Sequence, residues 1–286
     1  DFLSTAFFAY SAHLTSETAR VLKKEKEAAI YSALSAKIKT AFQKEFMTPS
    51  GRLSPHSQTA YTLALAFDLL PESQRQHAVN YLVQDITARK FHLSTGFLGT
   101  PHLCHVLSSN GHTDIAYKLL FQKTYPSWLY PITKGATTIW ERWDGIKPDG
   151  SFQNTKMNSF NHYAYGAIGD WMYRVVAGIE VDPQTPGYKH ILLQPHPTKE
   201  LSYARATYQS MYGPITSGWK YVADQLQFEI TIPPNTAATL TLPNVQLEHV
   251  KEGNKLLHLA DGILRSAQQG DDVVVELGSG SYLFSY

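Results

Sequence analysis

The sequence predicts an α/α barrel built from helical hairpins, followed by an antiparallel β-sandwich. Three observations carry this. Up to about residue 182, amphipathic stretches alternate with stretches that are apolar on every side. A helix apolar on all sides must be buried on all sides, so the alternation points to inner helices walled by outer ones. At Asp182, Pro183, Gln184, Thr185, Pro186 and Gly187 the composition turns to linker residues. Beyond that point come short runs of alternating apolar and polar residues at the spacing of a sandwich. The expected domains are residues 1–182 and residues 183–286. A stacked solenoid would need a repeat of fixed period, and none is visible.

The helices follow in order. Residues 1–24 read as a helix on the recurrence of Leu3, Phe7, Tyr10 and Leu14. Residues 25–46 carry Ile30, Leu34, Ile38, Ala41 and Phe42 on one face, with Lys37, Lys39 and Lys44 off it. A turn at Thr48, Pro49, Ser50 and Gly51 leads to a helix over 57–70 that is apolar nearly all round. Pro71 opens an amphipathic fourth helix reaching about residue 89. A fifth, mostly apolar, covers 100–108, and Gly111 separates it from a sixth over 113–122. A long loop follows. The seventh helix spans about 160–179 and is apolar or small on most sides. Strands are expected over 188–193, 203–210, 216–221, 226–232, 238–242, 273–277 and 282–286. Asp224, Pro233 to Asn235 and Gly278 to Gly280 punctuate them.

Composition narrows the function classes. A chain of 286 residues with 43% hydrophobic and 17% charged residues is an ordinary globular protein. A net charge of +1 gives no electrostatic footprint for nucleic acid or an anionic membrane. No run reaches the length of a transmembrane helix. The single cysteine, Cys104, sits among Leu103, Val106 and Leu107 and reads as a core residue. One cysteine and no leader segment point to a reducing, cytoplasmic setting. No cofactor is expected. His102 and His105 have a metal-like spacing but lack a third ligand at a suitable offset.

The stretch that carries chemistry is GATTIWERWDG over residues 135–145. It sets Glu141 between Trp140 and Trp143 and next to Arg142. An indole offers a flat apolar face to the C–H face of a sugar ring. The same residues would also suit a packed corner with Glu141 paired to Arg142, and the residues alone leave both readings open. Asp144 and Asp149 each precede a glycine and read as turn residues. Asp170 reads as a helix–helix hydrogen-bonding group. Gln58, Thr59, Thr95 and Gly96 stand at the entrances of inner helices, where sugar contacts could form. Trp128 and Tyr130 could wall the same cavity or plug a loop.

Five ordered motifs then line up: STGFLGTP over 94–101, YPSWLY over 125–130, GATTIWERWDG over 135–145, NSFNHYAYG over 158–166 and WMYRVVAGI over 171–179. In this order and spacing the chain resembles the bacterial α-L-rhamnosidases of glycoside hydrolase family 78, over essentially its whole length. The resemblance implies a six-hairpin (α/α)6 catalytic domain with a C-terminal β-sandwich. It also implies removal of terminal α-L-rhamnose from a rhamnose-containing glycoside, with inversion. Inverting chemistry uses two carboxyl groups roughly 6.5–9.5 Å apart, with a water between one of them and the sugar. The family's general base falls on Glu141, and a rhamnose-contacting histidine falls on His162. Trp140, Arg142, Trp143, Thr95 and Trp128 are the accompanying candidates for substrate contact.

One departure matters. The family's general acid lies in an upstream segment rich in Asp, Arg and Trp, and this chain shows no counterpart before Ser94. Twelve helices would close the barrel, and about seven are arguable. The sequence therefore looks like the C-terminal portion of such an enzyme, inactive alone. A missing N-terminal barrel half, or a second copy, is expected to cover the open face. A non-catalytic carbohydrate-binding or scaffolding remnant, or an α/α-barrel glycosidase for another sugar, are the alternative readings.

Overall fold

The computed structural model describes residues 1–223 and 225–286; Asp224 lies outside the described residues. The chain forms two compact units, Asp1–Ile168 and Gly169–Tyr286.

The first unit is helical. Helices α1 (Phe2–Val21) and α2 (Glu25–Phe46) make the first hairpin, α3 (Gln58–Ala66) and α4 (Glu72–Ala88) the second, α5 (Thr100–Ser109) and α6 (Thr113–Leu120) the third. A short α7 (Leu129–Thr133) lies in the expected loop. The layers are those predicted. α1, α3, α5 and a 3-10 turn at Ala164–Ala167 contact one another in succession, and α2, α4 and α6 each pack on the helix before them. In α3 every residue from Ala60 to Leu65 is buried. In α4 only the stripe Ala78, Val79, Leu82 and Ile86 is.

The packing of α1 on α2 differs from the expected one. The buried face of α1 is Phe2, at its start, and then Ala6, Ala9, Ala12, Ser16 and Ala19. These small side chains let the two backbones approach. Ser16 donates to the Ala28 carbonyl and Ser35 to the Ala9 carbonyl, at 2.8 and 3.0 Å. The larger stripe read from sequence is half used: Phe7 and Tyr10 pack on Phe67, Tyr10 stacking at 4.1 Å. Leu3 and Leu14 remain exposed.

The expected seventh helix is broken into three kinds of turn: 3-10 at Ala164–Ala167, α8 at Ile168–Trp171 and a π turn at Met172–Val176. Its last expected residue, Ile179, opens strand β1 (Ile179–Val181) instead. Gly178 explains the break. Its φ is +78°, and a Cβ there would stand 2.1 Å from the Pro195 nitrogen. The chain must turn, and only glycine turns it so closely against another backbone.

The second unit holds two sheets. One orders β1, β2 (His190–Leu193), β6 (Ala237–Leu242), β10 (Asp272–Leu277) and β9 (Ile263–Gln269). The other orders β3 (Tyr203–Ser210), β4 (Gly213–Val222), β5 (Gln225–Ile232), β11 (Gly280–Ser285), β7 (Lys251–Glu252) and β8 (Lys255–Leu256). Pairing is antiparallel except for β2 with β6. Strands β3, β4 and β5 intervene between those two in the other sheet, so no tight hairpin forces them antiparallel. Strand β9 was not legible, because it lies at a sheet edge with an almost wholly solvated pattern. Trp219 and Ser217, on the core face of β4, donate to the carbonyls of Val176 and Ala177 at 2.7 and 2.5 Å. They satisfy acceptors that the end of a helical segment leaves open.

Candidate active site

The site is assembled where residues 139–141 run beside residues 159–162. The Glu141 amide donates to the Ser159 carbonyl at 2.9 Å, and the His162 amide donates to the Ile139 carbonyl at 2.8 Å. Between these rungs the Ser159 amide donates to Oε2 of Glu141 at 2.8 Å. One residue therefore fixes both the backbone and the carboxylate of Glu141. Its Oε1 bonds to none of the described residues and is left to accept from a ligand or water.

Trp140 is buried, 5% exposed, with its ring edge-on to Phe160 at 5.1 Å. Gly145 makes room for it: a Cβ there would stand 3.0 Å from the Trp140 ring and 3.1 Å from Phe160. Asn158 closes the turn by donating to the Gly145 carbonyl at 2.7 Å. Trp140 thus anchors the segment from below. Arg142 does not pair with Glu141; its Nε donates to Asp144 at 3.2 Å. The bland reading of a Glu141–Arg142 corner does not describe this geometry.

Trp143 belongs to a different surface. It stacks on Tyr165 at 3.7 Å and meets Trp128 edge-on at 5.6 Å, and its indole N–H donates to the Thr95 carbonyl at 3.1 Å. Trp128 is itself buried and donates to the Tyr165 carbonyl at 2.9 Å. Thr95 is buried, its hydroxyl bonded to that of Thr100 at 2.8 Å. From Tyr165 the aromatic surface continues to Phe97 at 5.2 Å. Phe97 stacks on His162 at 4.9 Å, and His162 stacks on Tyr163, which is 85% exposed. Thr95, Trp128, Trp143 and His162 therefore share one contiguous aromatic wall. Phe97 and Tyr165 complete it. They stand inside motifs quoted from the sequence, yet no charge or spacing marked their side chains.

The chemistry of this wall is polar at defined atoms only. The Ala164 amide donates to Nδ1 of His162 at 3.3 Å, which puts the imidazole proton on Nε2, a donor that bonds to none of the described residues. Burial, with Asp144 and Glu141 acting against Arg142, pushes the Tyr165 phenol up to about 12, so it stays protonated.

Other candidates have different duties. Gln58 is fully buried and saturated. It donates to Asp85 and to the His92 carbonyl, each at 3.0 Å, and accepts from the Ser94 amide at 2.8 Å. It pins the α3 entrance rather than meeting a sugar. Asp149 accepts from the amide and hydroxyl of Ser151, which hold its carboxyl below the usual range, as a turn residue does. Asp170 pairs with Arg174 at 3.3 Å. Cys104 is buried, and burial raises its thiol pKa strongly, consistent with a core residue. Tyr130 is buried and donates to the Ile146 carbonyl at 2.8 Å.

Comparison with known proteins adds five findings. Residues 1–176 match the model of the bacterial alpha-L-rhamnosidase 6 hairpin glycosidase domain, and residues 178–256 that of the bacterial alpha-L-rhamnosidase C-terminal domain. An alpha-L-rhamnosidase of Streptomyces avermitilis is 44% identical over 285 residues, covering 100% of this chain and 26% of that protein. One from Formosa agariphila is 46% identical over 255 residues, covering 88% of this chain and 27% of that protein. The crystal structure of the Streptomyces avermitilis alpha-L-rhamnosidase complexed with L-rhamnose superposes with a TM-score of 0.92 at 42% identity, over 100% of this chain and 27% of that one. The chain thus spans about a quarter of the length of these relatives. Among the described residues no helix is long and apolar enough to cross a membrane.

Proposed function

Because the chain belongs to the bacterial α-L-rhamnosidases, we propose that it supplies the general-base side of an inverting hydrolysis of terminal α-L-rhamnosides. The observation that supports this best is the state of Glu141. One oxygen is held by the Ser159 amide and the other is left unbonded, beside a wall of stacked aromatic rings. A carboxylate so held keeps a fixed lone-pair direction toward a water, as a general base requires. Rhamnose is a 6-deoxy sugar, with apolar C–H faces and a methyl group. The Trp143 and Tyr165 pair with Phe97 suits such a surface. The Nε2–H of His162 is the donor for a sugar hydroxyl, and Arg142, held by Asp144, is a second donor at the rim.

The general acid is assigned to residues outside these 286, with Asp144 paired to Arg142 and Asp149 held as a turn residue by Ser151. Water is activated by Glu141 on one face of the sugar, and the leaving oxygen is protonated from the other.

The test has two arms. The 286-residue chain, mixed with an aryl α-L-rhamnoside, should show only background release. Fused behind the preceding portion of the Streptomyces avermitilis relative, it should turn over, and ¹H NMR should show β-L-rhamnose as the first product. In that fusion Glu141→Gln should lower kcat by roughly 10²–10⁴-fold. Turnover like wild type in Glu141→Gln would remove Glu141 from the mechanism, and α-L-rhamnose as the first product would remove inversion.

A further inference from the structure

The exposed face of the β3-β4-β5-β11 sheet is built unlike an ordinary solvated surface. Cross-strand register aligns its side chains in rows. Tyr203, Lys220 and Gln227 form one row, and Arg205, Gly218, Glu229 and Leu283 the next. Gly218 is the one residue of the second row with no side chain. A Cβ there would meet Arg205 Cγ at 3.0 Å. Its absence lets Arg205 lie across β4 and reach Glu229 on the far strand. Nε and Nη2 donate to the two carboxylate oxygens at 3.1 Å each, a bidentate fork. The Arg205 guanidinium holds Glu229 below the usual carboxylate range, so the fork stays charged. The result is a groove of about 200 Å³ lined by Tyr203, Arg205, Lys220, Gln227, Glu229 and Leu283.

Three features of this groove point to a ligand. Tyr203 is 67% exposed although it stands on a strand beside a formed groove, and Leu283 at the other end is also exposed. They give apolar surfaces at the two ends, with planar hydrogen-bonding groups between them. That is the arrangement that matches a pyranose, whose faces are apolar and whose edges carry hydroxyls. The fork is fixed before binding, so its remaining N–H groups and carboxylate lone pairs lose little freedom when they engage hydroxyls. The charge does not balance: Arg205 is matched by Glu229, but Lys220 forms no ion pair among the described residues. One cation is left over in the groove, on the residue that pairs with Tyr203 across the β3–β4 register.

We infer that this sheet face is a glycan-binding site for an acidic oligosaccharide, stacking one sugar on Tyr203 and placing a uronic-acid carboxylate on Lys220. It would hold a polysaccharide chain by a surface separate in sequence from Glu141. The inference does not depend on the catalytic reading. A chain carrying Glu141→Gln should bind as wild type does, so failure of one leaves the other standing.

Isothermal titration of the 286-residue chain with trigalacturonate tests this, with maltotriose as the neutral control. Saturable binding of trigalacturonate is expected, with maltotriose at least tenfold weaker. Tyr203→Ala and Lys220→Gln should each weaken trigalacturonate at least tenfold, while Tyr203→Phe keeps it. Tyr203 and Lys220 are solvent-facing, and unchanged thermal melts would show that both variants fold. The inference fails if wild type shows no saturable binding, or if maltotriose binds equally well. It also fails if Tyr203→Ala leaves the affinity unchanged, because charge attraction alone would then account for the signal.

Discussion

Gln58 shows how a residue at a cavity entrance can be wholly structural. All three of its hydrogen bonds are made inside the protein, and removal would leave the Ser94 amide and the His92 carbonyl without that partner in a partly buried place. Gln58→Ala should cost roughly 1 kcal/mol in urea unfolding, the low end for unmet partners, because solvent reaches part of the site. Thr59→Ala, beside it, is the control. Asp182 gives the pH-dependent counterpart. Its carboxyl accepts from the Gln184 amide, then from His190 and the Thr185 hydroxyl, and these hold it below its usual value of 3.8. A carboxyl lowered in the folded state stabilises the fold above its unfolded pKa, and that contribution is lost as pH falls through the folded one. Asp182→Asn should therefore be less stable than wild type at pH 7, with the gap closing as the solution is acidified below about pH 4. Denaturant melts across that range would show it, and a gap that widens in acid would contradict it. At this scale the sequence was legible where a residue carries charge within a motif, as Glu141 and His162 do. It was silent on Ser159, whose contribution to the site is a backbone amide.

At the scale of elements, periodicity located α2 to the residue and the long run of β5 nearly so, since each has one clearly buried face; β3 takes its expected bounds although Ser210 is its one buried residue. It misjudged α1 because, beyond Phe2, the face that packs is made of alanine and serine, which hydrophobic patterning underweights. It missed β9, where an edge strand has no buried face to betray it. The join between the last helical segment and β1 is a different case, set by one glycine. Gly178→Ala would force a side chain into the backbone of Gln194 and Pro195 at a positive φ. The left-handed conformation alone costs about 1–2 kcal/mol for a residue with a Cβ, and the clash adds to it. Gly178→Ala should lower the melting temperature well beyond Gly169→Ala, whose added Cβ meets nothing within 4 Å. Equal melting temperatures for the two would show that the Pro195 approach is not fixed.

For the whole molecule, the decisive feature is the apolar surface left on the first hairpin. Leu3, Leu14 and Val21 recur at nearly whole numbers of turns along α1, so they form one exposed line, with Leu22 continuing beyond it. Ile30 and Tyr31 add exposed apolar surface on α2. Exposed apolar surface of this kind favours association unless something covers it. The cover is either another copy of the chain or polypeptide beyond these 286 residues, and the two give different outcomes. Sedimentation velocity on the chain alone should show a coefficient that rises with concentration, and the pair Leu14→Gln and Val21→Lys should suppress the rise. In the fusion with the preceding portion of the Streptomyces avermitilis relative, a concentration-independent monomer would show that the added polypeptide covers the line. Persistent association there would assign it to a second copy. A chain that sediments as one monomeric species at every concentration, with its apolar line open to water, would overturn the argument. The hairpin would then tolerate that exposure because its alanine-lined seam already secures it.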